Sequence, residues 1–247
     1  MRENTKQVPE YSIVVLCYGS GHLIPKFVEV TIDVLLKYKI LDYQLVLVGN
    51  YLESRADQTP EIVKKLEKEN PRIVSVTKRK NGMMGWDMRT GLAAATGKYI
   101  SVIDGDGQMP VEDLISVYQK IKNENYDLVK TVRTTRKDGA WRKFISVAFN
   151  MFFRLLFPSV ESKDINSKPK IFSRTSFERL ELQSDDWFID AEIMIQARRL
   201  GFKIAEIPTH FRDQTRDNGS FINFLTILEF IKNLIRSRIS EYWRFRK

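Results

Sequence analysis

The chain has 247 residues, of which 43% are hydrophobic and 29% charged, a composition typical of a globular protein and not of a disordered one. Its net charge of +9 indicates an anionic partner, such as a nucleic acid, a phosphorylated ligand or a membrane surface. The single cysteine, Cys17, excludes an intrachain disulfide, and the two distant histidines, His22 and His210, argue against a zinc site.

Targeting and membrane segments are not expected. The first ten residues are polar, unlike the apolar core of a signal peptide. The most apolar stretch, 144–157, contains Asn150 and Arg154 and is too short to span a bilayer. We therefore predict a cytoplasmic protein, bound peripherally at the cytoplasmic face of a membrane.

Strand-like and helix-like patterns alternate along the first half of the chain. Apolar, β-branched runs predict strands at 12–18, 44–48, 73–76, 99–103 and 127–132. Helical spacing of apolar residues predicts helices at 25–39, from Pro60 onward, at 84–95 and at 110–122. This alternation predicts an α/β fold with a mostly parallel central sheet flanked by helices, in which ligands bind at the carboxyl ends of the strands.

The second half is less regular. A basic cluster precedes the apolar helix predicted at 144–157, and residues 162–172 are polar and irregular. A helix at 190–200, a strand at 203–208 and a charged loop at 212–220 are predicted to follow. Residues 221–247 form a basic, amphipathic helical tail, which we separate from a domain of residues 1–220.

Two carboxylates follow the strand at 99–103. Residues two apart in an extended segment point the same way, so Asp104 and Asp106 can converge on one point. They repel each other unless a cation or a shared proton lies between them. Mg²⁺ prefers such oxygen ligands and also binds substrate phosphates. The alternative is a surface turn, in which Asp and Gly are common.

Several motifs, in their order and spacing, resemble family 2 glycosyltransferases of the GT-A fold, above all the dolichol-phosphate mannose synthase and polyprenyl-phosphate hexosyltransferase branch. The resemblance spans about residues 11–220. Asn81-Gly82 with Gly91 is similar to the family's glycine-rich helix, and the segment 104–108 to its Asp-Ala-Asp-Leu-Gln. Further matches are Arg133 after the next strand, Arg142-x-x-x-Ser-x-x-x-Asn and the Asp-x-Asn-x-x-Pro-Lys of 164–170. Towards the end of the chain, Asp190-x-Glu is followed by the Glu-x-Pro of 206–208. The loop at 216–220 is similar to the family's Arg-x-x-Gly-x-Ser but one residue shorter.

Two strand ends depart from the family pattern. The first usually ends in Pro-x-Tyr-Asn-Glu, of which Tyr18 alone carries over. The second usually ends in Val-Asp-Asp-Gly-Ser, whereas this chain has Val48-Gly49-Asn50, with no carboxylate for the base or ribose. The identity of the nucleotide is therefore left open.

The resemblance implies a metal-dependent, inverting transfer of a hexose from a GDP- or UDP-sugar to a polyprenyl (dolichyl) phosphate. It implies Mg²⁺ or Mn²⁺ held by Asp104, Asp106 and Gln108. The implied nucleotide-sugar-binding residues are Tyr18, Asn50, Asp104, Gly105, Asp106, Arg133, Arg142, Lys170 and Arg216. Asp190 and Asp164 are the implied catalytic carboxylates: Asp190 as a base or simply a helix cap, Asp164 as a group that orients Lys170.

Two other functions are compatible with parts of the sequence. One is transfer to a saccharide or other soluble acceptor in surface-polysaccharide assembly. The other is nucleic-acid binding, suggested by the net charge, but the basic residues follow strand ends and no stacking motif is interleaved with them, so no nucleic-acid partner is expected. The tail, with Tyr242, Trp243 and Phe245 among basic residues, suits a helix at an anionic membrane surface. Alternatively, it packs on the sheet or on a partner subunit.

Overall fold

The computed structural model describes residues 8–135, 151, 153–158, 160, 162, 164–210 and 224–244. The strands are β1 Tyr11–Leu16, β2 Tyr43–Val48, β3 Ile73–Val76, β4 Tyr99–Asp104, β5 Leu128–Thr135, β6 Lys170–Ser173 and β7 Ile204–His210. The helices are α1 Ile24–Lys37, α2 Thr59–Glu69, α3 Met84–Ala94, α4 Glu112–Glu124, α5 Arg174–Phe177, α6 Ile189–Arg199 and α7 Phe224–Arg244, with a 3-10 turn at Gly21–Leu23.

Within these residues the seven strands form one sheet, in the order β3-β2-β1-β4-β6-β5-β7. The first four in this order are mutually parallel, as are β5 and β7, whereas β6 runs antiparallel to both β4 and β5. The predicted α/β fold with a mostly parallel sheet is confirmed. The prediction that residues 162–172 are irregular is wrong for residues 170–172, because β6 begins at Lys170.

Helices cover both faces of the sheet, since the central strands are apolar on both sides. Alternate residues of β1 enter different cores: Val14 packs on the face covered by α3 and α6, while Ile13 and Val15 pack on the face covered by α1 and α4. Every residue of β1 is buried. This is the continuous apolar pattern expected of a parallel strand covered on both faces.

Helix α3 lies unusually close to the sheet at Gly91. A Cβ atom at this position would be 2.5 Å from Val14 Cγ1 and 2.5 Å from Val48 Cγ2. A glycine is therefore needed for the close approach of helix and strands, and the 3.6-residue pattern alone did not reveal this.

The start of α3 is joined to the segment that precedes α6. Met83 N and Trp86 N donate to the carbonyl oxygen of Asp185 at 2.6 and 3.1 Å, and Gly85 N donates to that of Asp186 at 2.9 Å. A Cβ on Gly82 would lie 2.5 Å from the Asp185 carbonyl oxygen. The glycines of this segment thus allow two stretches of backbone to meet.

The helix predicted in the tail is α7, and one of its faces packs on the rest of the protein. Leu234 is fully buried, the Phe230 ring lies 5.1 Å from that of Phe188, and Asn233 Nδ2 donates to Asp186 Oδ2 at 2.5 Å. The division at residue 220 stays a proposal. Among the described helices none combines the length and apolar character needed to cross a membrane.

Candidate active site

Three of the predicted site residues lie at one edge of the sheet, where β1, β2 and β4 end side by side. In the strand register Leu16 is opposite both Val48 and Asp104. Asp104 ends β4, Tyr18 follows β1 and Asn50 follows β2. Parallel strands present their carboxyl ends at the same edge, so sequence-distant residues meet there.

The Asp104–Gln108 loop offers partly exposed oxygen ligands. The Asp104 side chain is 37% exposed, and Asp106 and Gln108 are of intermediate exposure. Gln108 N donates to Asp106 Oδ1 at 3.0 Å, and Gly107 takes a φ of +74°, which favours glycine in this turn. A hard divalent cation fits this donor set. Among the described residues no group of three or more Asp, Glu, His or Cys side chains could hold a metal, so a cation here would have two carboxylates and an amide from the protein.

Gly105 fills a structural place in this loop. It is buried, its N–H donates to the Leu16 carbonyl at 2.9 Å, and a Cβ would approach Val15 Cγ1 to 2.9 Å. The packing against β1 therefore accounts for a glycine here, and contact with a nucleotide stays a prediction.

Tyr18 is surrounded by cations. Lys80 Nζ lies 4.1 Å from the ring centroid and the Arg55 guanidinium carbon 5.5 Å from it. Lys80 is itself buried in an ion pair with Asp87. Burial raises the pKa of the Asp87 carboxyl, although Lys80 opposes this. The predicted aromatic face thus makes two cation–π contacts, and the charge of one of these cations, Lys80, is balanced by Asp87.

The Asn50 side chain is fully buried and bonded inside the protein. Its Nδ2 donates to Asp87 Oδ1 and Thr90 Oγ1, both at 2.9 Å, and its Oδ1 accepts from Lys78 N at 2.8 Å. Direct contact of Asn50 with a base or ribose, as predicted, stays untested. These bonds instead give it an indirect role, in which it positions Asp87 and through it Lys80.

Asp190 is buried between two lysines. Lys170 Nζ donates to Asp190 Oδ1 at 2.5 Å, and Lys168 Nζ donates to Oδ2 at 3.1 Å. Burial alone would raise the pKa of Asp190, but the two ammonium groups lower it below its ordinary value. The α6 N-cap is Phe188, which makes no side-chain cap bond, and Asp190 is the second residue of the helix, within its first turn. Asp190 is therefore placed as a counter-ion, a geometry that does not favour the predicted base or cap.

The two lysines differ in their surroundings. Burial lowers the pKa of Lys170 to about 8, although Asp190 opposes this. Burial likewise acts against a charge on Lys168, but the carboxylates of Asp104 and Asp190 raise the pKa of Lys168 above its ordinary value. Lys168 Nζ lies 3.5 Å from Asp104 Oδ2. A chain of alternating charges thus runs from the exposed loop after β4 to the buried start of α6.

Arg133 and Asp164 form a second pair. Arg133 Nε donates to Asp164 Oδ2 at 2.5 Å and its NH2 group to Oδ1 at 2.8 Å, a bidentate geometry. Lys130, fully buried in β5, is paired with Glu206 of β7 at 3.2 Å and bonds the Asp164 carbonyl. Asp164 therefore orients Arg133; the predicted partner, Lys170, is bonded to Asp190 instead.

Sequence reasoning missed Lys130 and Lys168. Lys130 lies between the apolar residues Leu128-Val129 and Val132 of a predicted strand, and that interruption is a signal that could have been used. Lys168 has no such signal, because most lysines are exposed and its neighbours are polar. The predicted Arg142 and Arg216 lie outside the described residues.

Comparison with known proteins defines the class. Residues 12–181 match the model of glycosyl transferase family 2, and the chain therefore belongs to this family. Its fold is similar to that of glucosyl-3-phosphoglycerate synthase from Mycobacterium tuberculosis in complex with Mn²⁺, UDP and phosphoglyceric acid, with a TM-score of 0.68 and 16% identity over 94% of this chain and 78% of that chain. The complex of the same enzyme with Mg²⁺ and UDP gives a TM-score of 0.67 and 16% identity, covering 94% of this chain and 79% of that one.

Particular relatives narrow the comparison. The chain is 28% identical over 209 residues to glycosyltransferase AglD of Haloferax volcanii, covering 81% of this chain and 32% of the relative, so it spans about a third of that protein's length. It is 25% identical over 246 residues to the dolichyl-phosphate beta-glucosyltransferase ALG5A of Trichomonas vaginalis (92% of this chain, 72% of the relative). A dolichyl-phosphate beta-glucosyltransferase of Dictyostelium discoideum is 23% identical over 246 residues, with 92% and 73% covered. The predictions of a family 2 glycosyltransferase, and hence an enzyme, and of the GT-A fold are confirmed.

Proposed function

We propose that the protein transfers a hexose from a nucleotide sugar to a polyprenyl phosphate such as dolichyl phosphate, with Mg²⁺ or Mn²⁺ and with inversion at the sugar carbon. The observation that carries the proposal is the ion pair, at one sheet edge, of the partly exposed Asp104 carboxylate with the buried Lys168–Asp190–Lys170 cluster, with Asp106 two residues further along the same loop. Two relatives are named dolichyl-phosphate beta-glucosyltransferases, which supports glucose as the sugar and a lipid phosphate as the acceptor. Solved relatives in fold contain UDP-glucose with Mn²⁺, which favours a UDP-sugar over a GDP-sugar.

The cation and the basic side chains have complementary tasks in this proposal. When bound by Asp104, Asp106 and Gln108, the metal supplies Lewis-acid stabilisation of the leaving diphosphate. Arg133 and Lys170 are proposed to add positive charge at this end of the sheet, each held in place by its carboxylate partner, Asp164 or Asp190. Arg142 and Arg216 are proposed to do the same on the basis of their motifs, and Tyr18 to stack on the base.

The state of the carboxylates bears on the choice between the two acceptor classes. A sugar hydroxyl acceptor needs a base to take its proton, whereas a phosphate acceptor is already anionic. Asp190 is fully buried and doubly ion-paired, and Asp164 is held bidentately by Arg133. Neither is placed as a base, and this favours a phosphate acceptor over a saccharide.

Membrane attachment is part of the proposal, because a polyprenyl acceptor is confined to a bilayer. On α7 the side chains of Ile235 and Ile239 are 44% and 52% exposed, and Lys232 and Arg236 are exposed beside them. An apolar strip bordered by cations suits the surface of an anionic leaflet.

The deciding experiment supplies UDP-glucose or GDP-mannose together with dolichyl phosphate in detergent, with Mn²⁺, Mg²⁺ or a chelator. We expect glucosyl transfer from UDP-glucose that stops when metal is removed. Asp106→Asn should lower the rate about 100-fold or more, because a charged metal ligand is lost, whereas Asp33→Asn on the exposed surface of α1 should leave the rate unchanged. Full transfer in chelator, or transfer to saccharides alone, would contradict the proposal.

A further inference from the structure

Lys168 connects the proposed metal site with the buried anchor Asp190. Its ammonium lies 3.1 Å from Asp190 Oδ2 and 3.5 Å from Asp104 Oδ2, and its side chain is only 3% exposed. It is the one side chain among the described residues that forms ion pairs with both of these carboxylates. We propose that Lys168 is a positioning residue of the metal site, which competes with the divalent cation for Asp104 and thereby sets the protein's metal affinity.

The surrounding contacts keep the ammonium in place. Lys168 Nζ also lies 3.4 Å from Met84 Sδ, at the start of α3. The backbone is held as well, because Thr131 Oγ1 donates to the Lys168 carbonyl at 2.7 Å and lies 2.8 Å from Ser167 Oγ. Asp190, at the other end, is fixed by Lys170. The positive charge therefore stands at a defined point and does not turn freely into solvent.

The position of this charge has a consequence for metal binding. An ammonium beside one oxygen of Asp104 lowers the negative potential that a divalent cation meets there, and burial limits screening of that effect by salt. The ion pair involves Oδ2, and we assign the other carboxylate oxygen of Asp104 to the metal. This inference rests on the proposed function, since it takes Asp104 as a metal ligand.

Lys170 provides a matched comparison within the same cluster. It bonds the other oxygen of Asp190 and the Ser167 carbonyl, at 2.5 and 2.8 Å. Both lysines therefore neutralise Asp190, but the ion pair with Asp104 belongs to Lys168. Removing either ammonium changes the net charge equally, so a difference between the two variants reports the contact with Asp104.

The test is the affinity for Mn²⁺, measured first with the metal alone and then with UDP present. The electron paramagnetic resonance signal of free Mn²⁺ is used to measure the binding. We expect Lys168→Met to bind Mn²⁺ roughly 3- to 10-fold more tightly than the wild type, and Lys170→Met to show less than half of that change. Lys168→Gln, which keeps a donor for Asp190, should shift the affinity in the same direction and replaces the Met variant if that one does not fold. Unchanged or weaker Mn²⁺ binding in a folded Lys168 variant, or an equal effect in Lys170→Met, overturns the inference.

A further variant separates this inference from the function on which it rests. Asp106→Asn should abolish Mn²⁺ binding if the metal site is correctly assigned. If the wild type binds Mn²⁺ and transfers sugar while the Lys168 variants bind Mn²⁺ as the wild type does, the inference fails and the function stands. A wild type that binds no Mn²⁺, with or without UDP, overturns both.

Discussion

At the scale of single residues, the interior of this enzyme holds an unusual amount of charge. Lys130, Lys168 and Lys170 are all buried, and each is paired with a carboxylate. Removing an ammonium from water costs several kcal/mol, which a well-placed carboxylate only partly offsets. Such a cluster adds little to stability, and we assign its arrangement to the proposed function, in which it lies beside the metal-binding loop.

Lys170 gives the cluster a measurable pH dependence. Its pKa is about 8 in the folded protein against an ordinary value of 10.5. Between these two values the unfolded chain binds the proton more readily, so the free energy of unfolding rises with pH in this window; below pH 8 the burial cost is fully present. We expect the stability of the wild type relative to Lys170→Met to increase by on the order of 1 to 3 kcal/mol across it. Urea unfolding at several pH values measures this, and a difference that does not change with pH would show that Lys170 keeps its proton.

The Arg133–Asp164 pair should be strongly coupled. Its side chains are 13% and 8% exposed, so removing one partner leaves a largely buried charge. We expect Asp164→Ala to lower the free energy of unfolding by about 2 to 4 kcal/mol, and Asp164→Ala with Arg133→Met to cost less than the sum of the single changes. As a control, Glu29→Gln in the exposed Lys26–Glu29 pair should leave stability within error. Additive effects at Arg133 and Asp164 would contradict the coupling.

The positions of the residues that follow strands could be predicted from the sequence, because the carboxyl ends of parallel strands meet at one edge of the sheet whatever the conformation of the loops. The sequence predicts Tyr18, Asn50 and Asp104 at or just after strand ends, and the structure brings them to one edge of the sheet. The ion-pair partner of each charged residue could not be predicted from the sequence, because Lys168 and Asp190 come together only when β6 is paired in the sheet. Sequence spacing contains no information on which of two lysines faces Asp104.

At the scale of elements, β6 organises the site. It runs antiparallel between β4 and β5, with Lys170 opposite both Val102 and Lys130. The strand therefore enters the sheet from the site edge, which places Lys168 and Lys170 beside the carboxyl end of β4. The alternating pattern predicted the parallel strands, whose apolar runs are long. It missed β6, which has four residues, begins with a lysine and pairs with a strand about 70 residues away.

Helix α3 offers a test of its close packing on the sheet. Alanine is the better helix former, so Gly91→Ala would stabilise an isolated helix. Here the added Cβ meets Val14 and Val48 at 2.5 Å, and we expect a loss of about 1 to 3 kcal/mol in the free energy of unfolding. Ala93→Ser, on the exposed side of the same helix, should change it by less than about 0.5 kcal/mol. A Gly91→Ala variant as stable as the wild type would show that the strands can move apart at low cost.

At the scale of the whole molecule, α7 has two different faces. Leu234 joins the core, while Ile235 and Ile239 are exposed on the helix. The amphipathic pattern predicted the helix but could not decide between packing and membrane binding, since both bury an apolar strip. In the structure Leu234 packs in the protein core, whereas Ile235 and Ile239 are exposed and are the residues proposed to contact a membrane.

Charge reversal on this helix tests the proposed membrane contact without removing Leu234. We expect Lys232→Glu with Arg236→Glu to weaken binding to phosphatidylserine vesicles roughly ten-fold or more, since each cation near an anionic leaflet contributes about 1 kcal/mol. Co-sedimentation measures the binding. The exposed pair Lys64→Glu with Lys65→Glu on α2 provides a control of equal charge change. Equal losses in both double variants would mean that net charge alone, and no defined face, attracts the protein to the vesicles.

The hydrogen bonds at the start of α3 bear on how the diphosphate of the proposed donor would be neutralised. In many nucleotide-binding folds the free N–H groups at a helix N-terminus hold the phosphates. Here Met83, Gly85 and Trp86 donate theirs to the carbonyls of Asp185 and Asp186, so these donors are already bonded when a donor substrate arrives. The glycine-rich segment therefore connects α3, which packs on the sheet, to the segment leading into α6 through backbone hydrogen bonds. In the proposed function these N–H groups are therefore not available to the diphosphate, whose charge we assign to the bound metal and to side-chain cations.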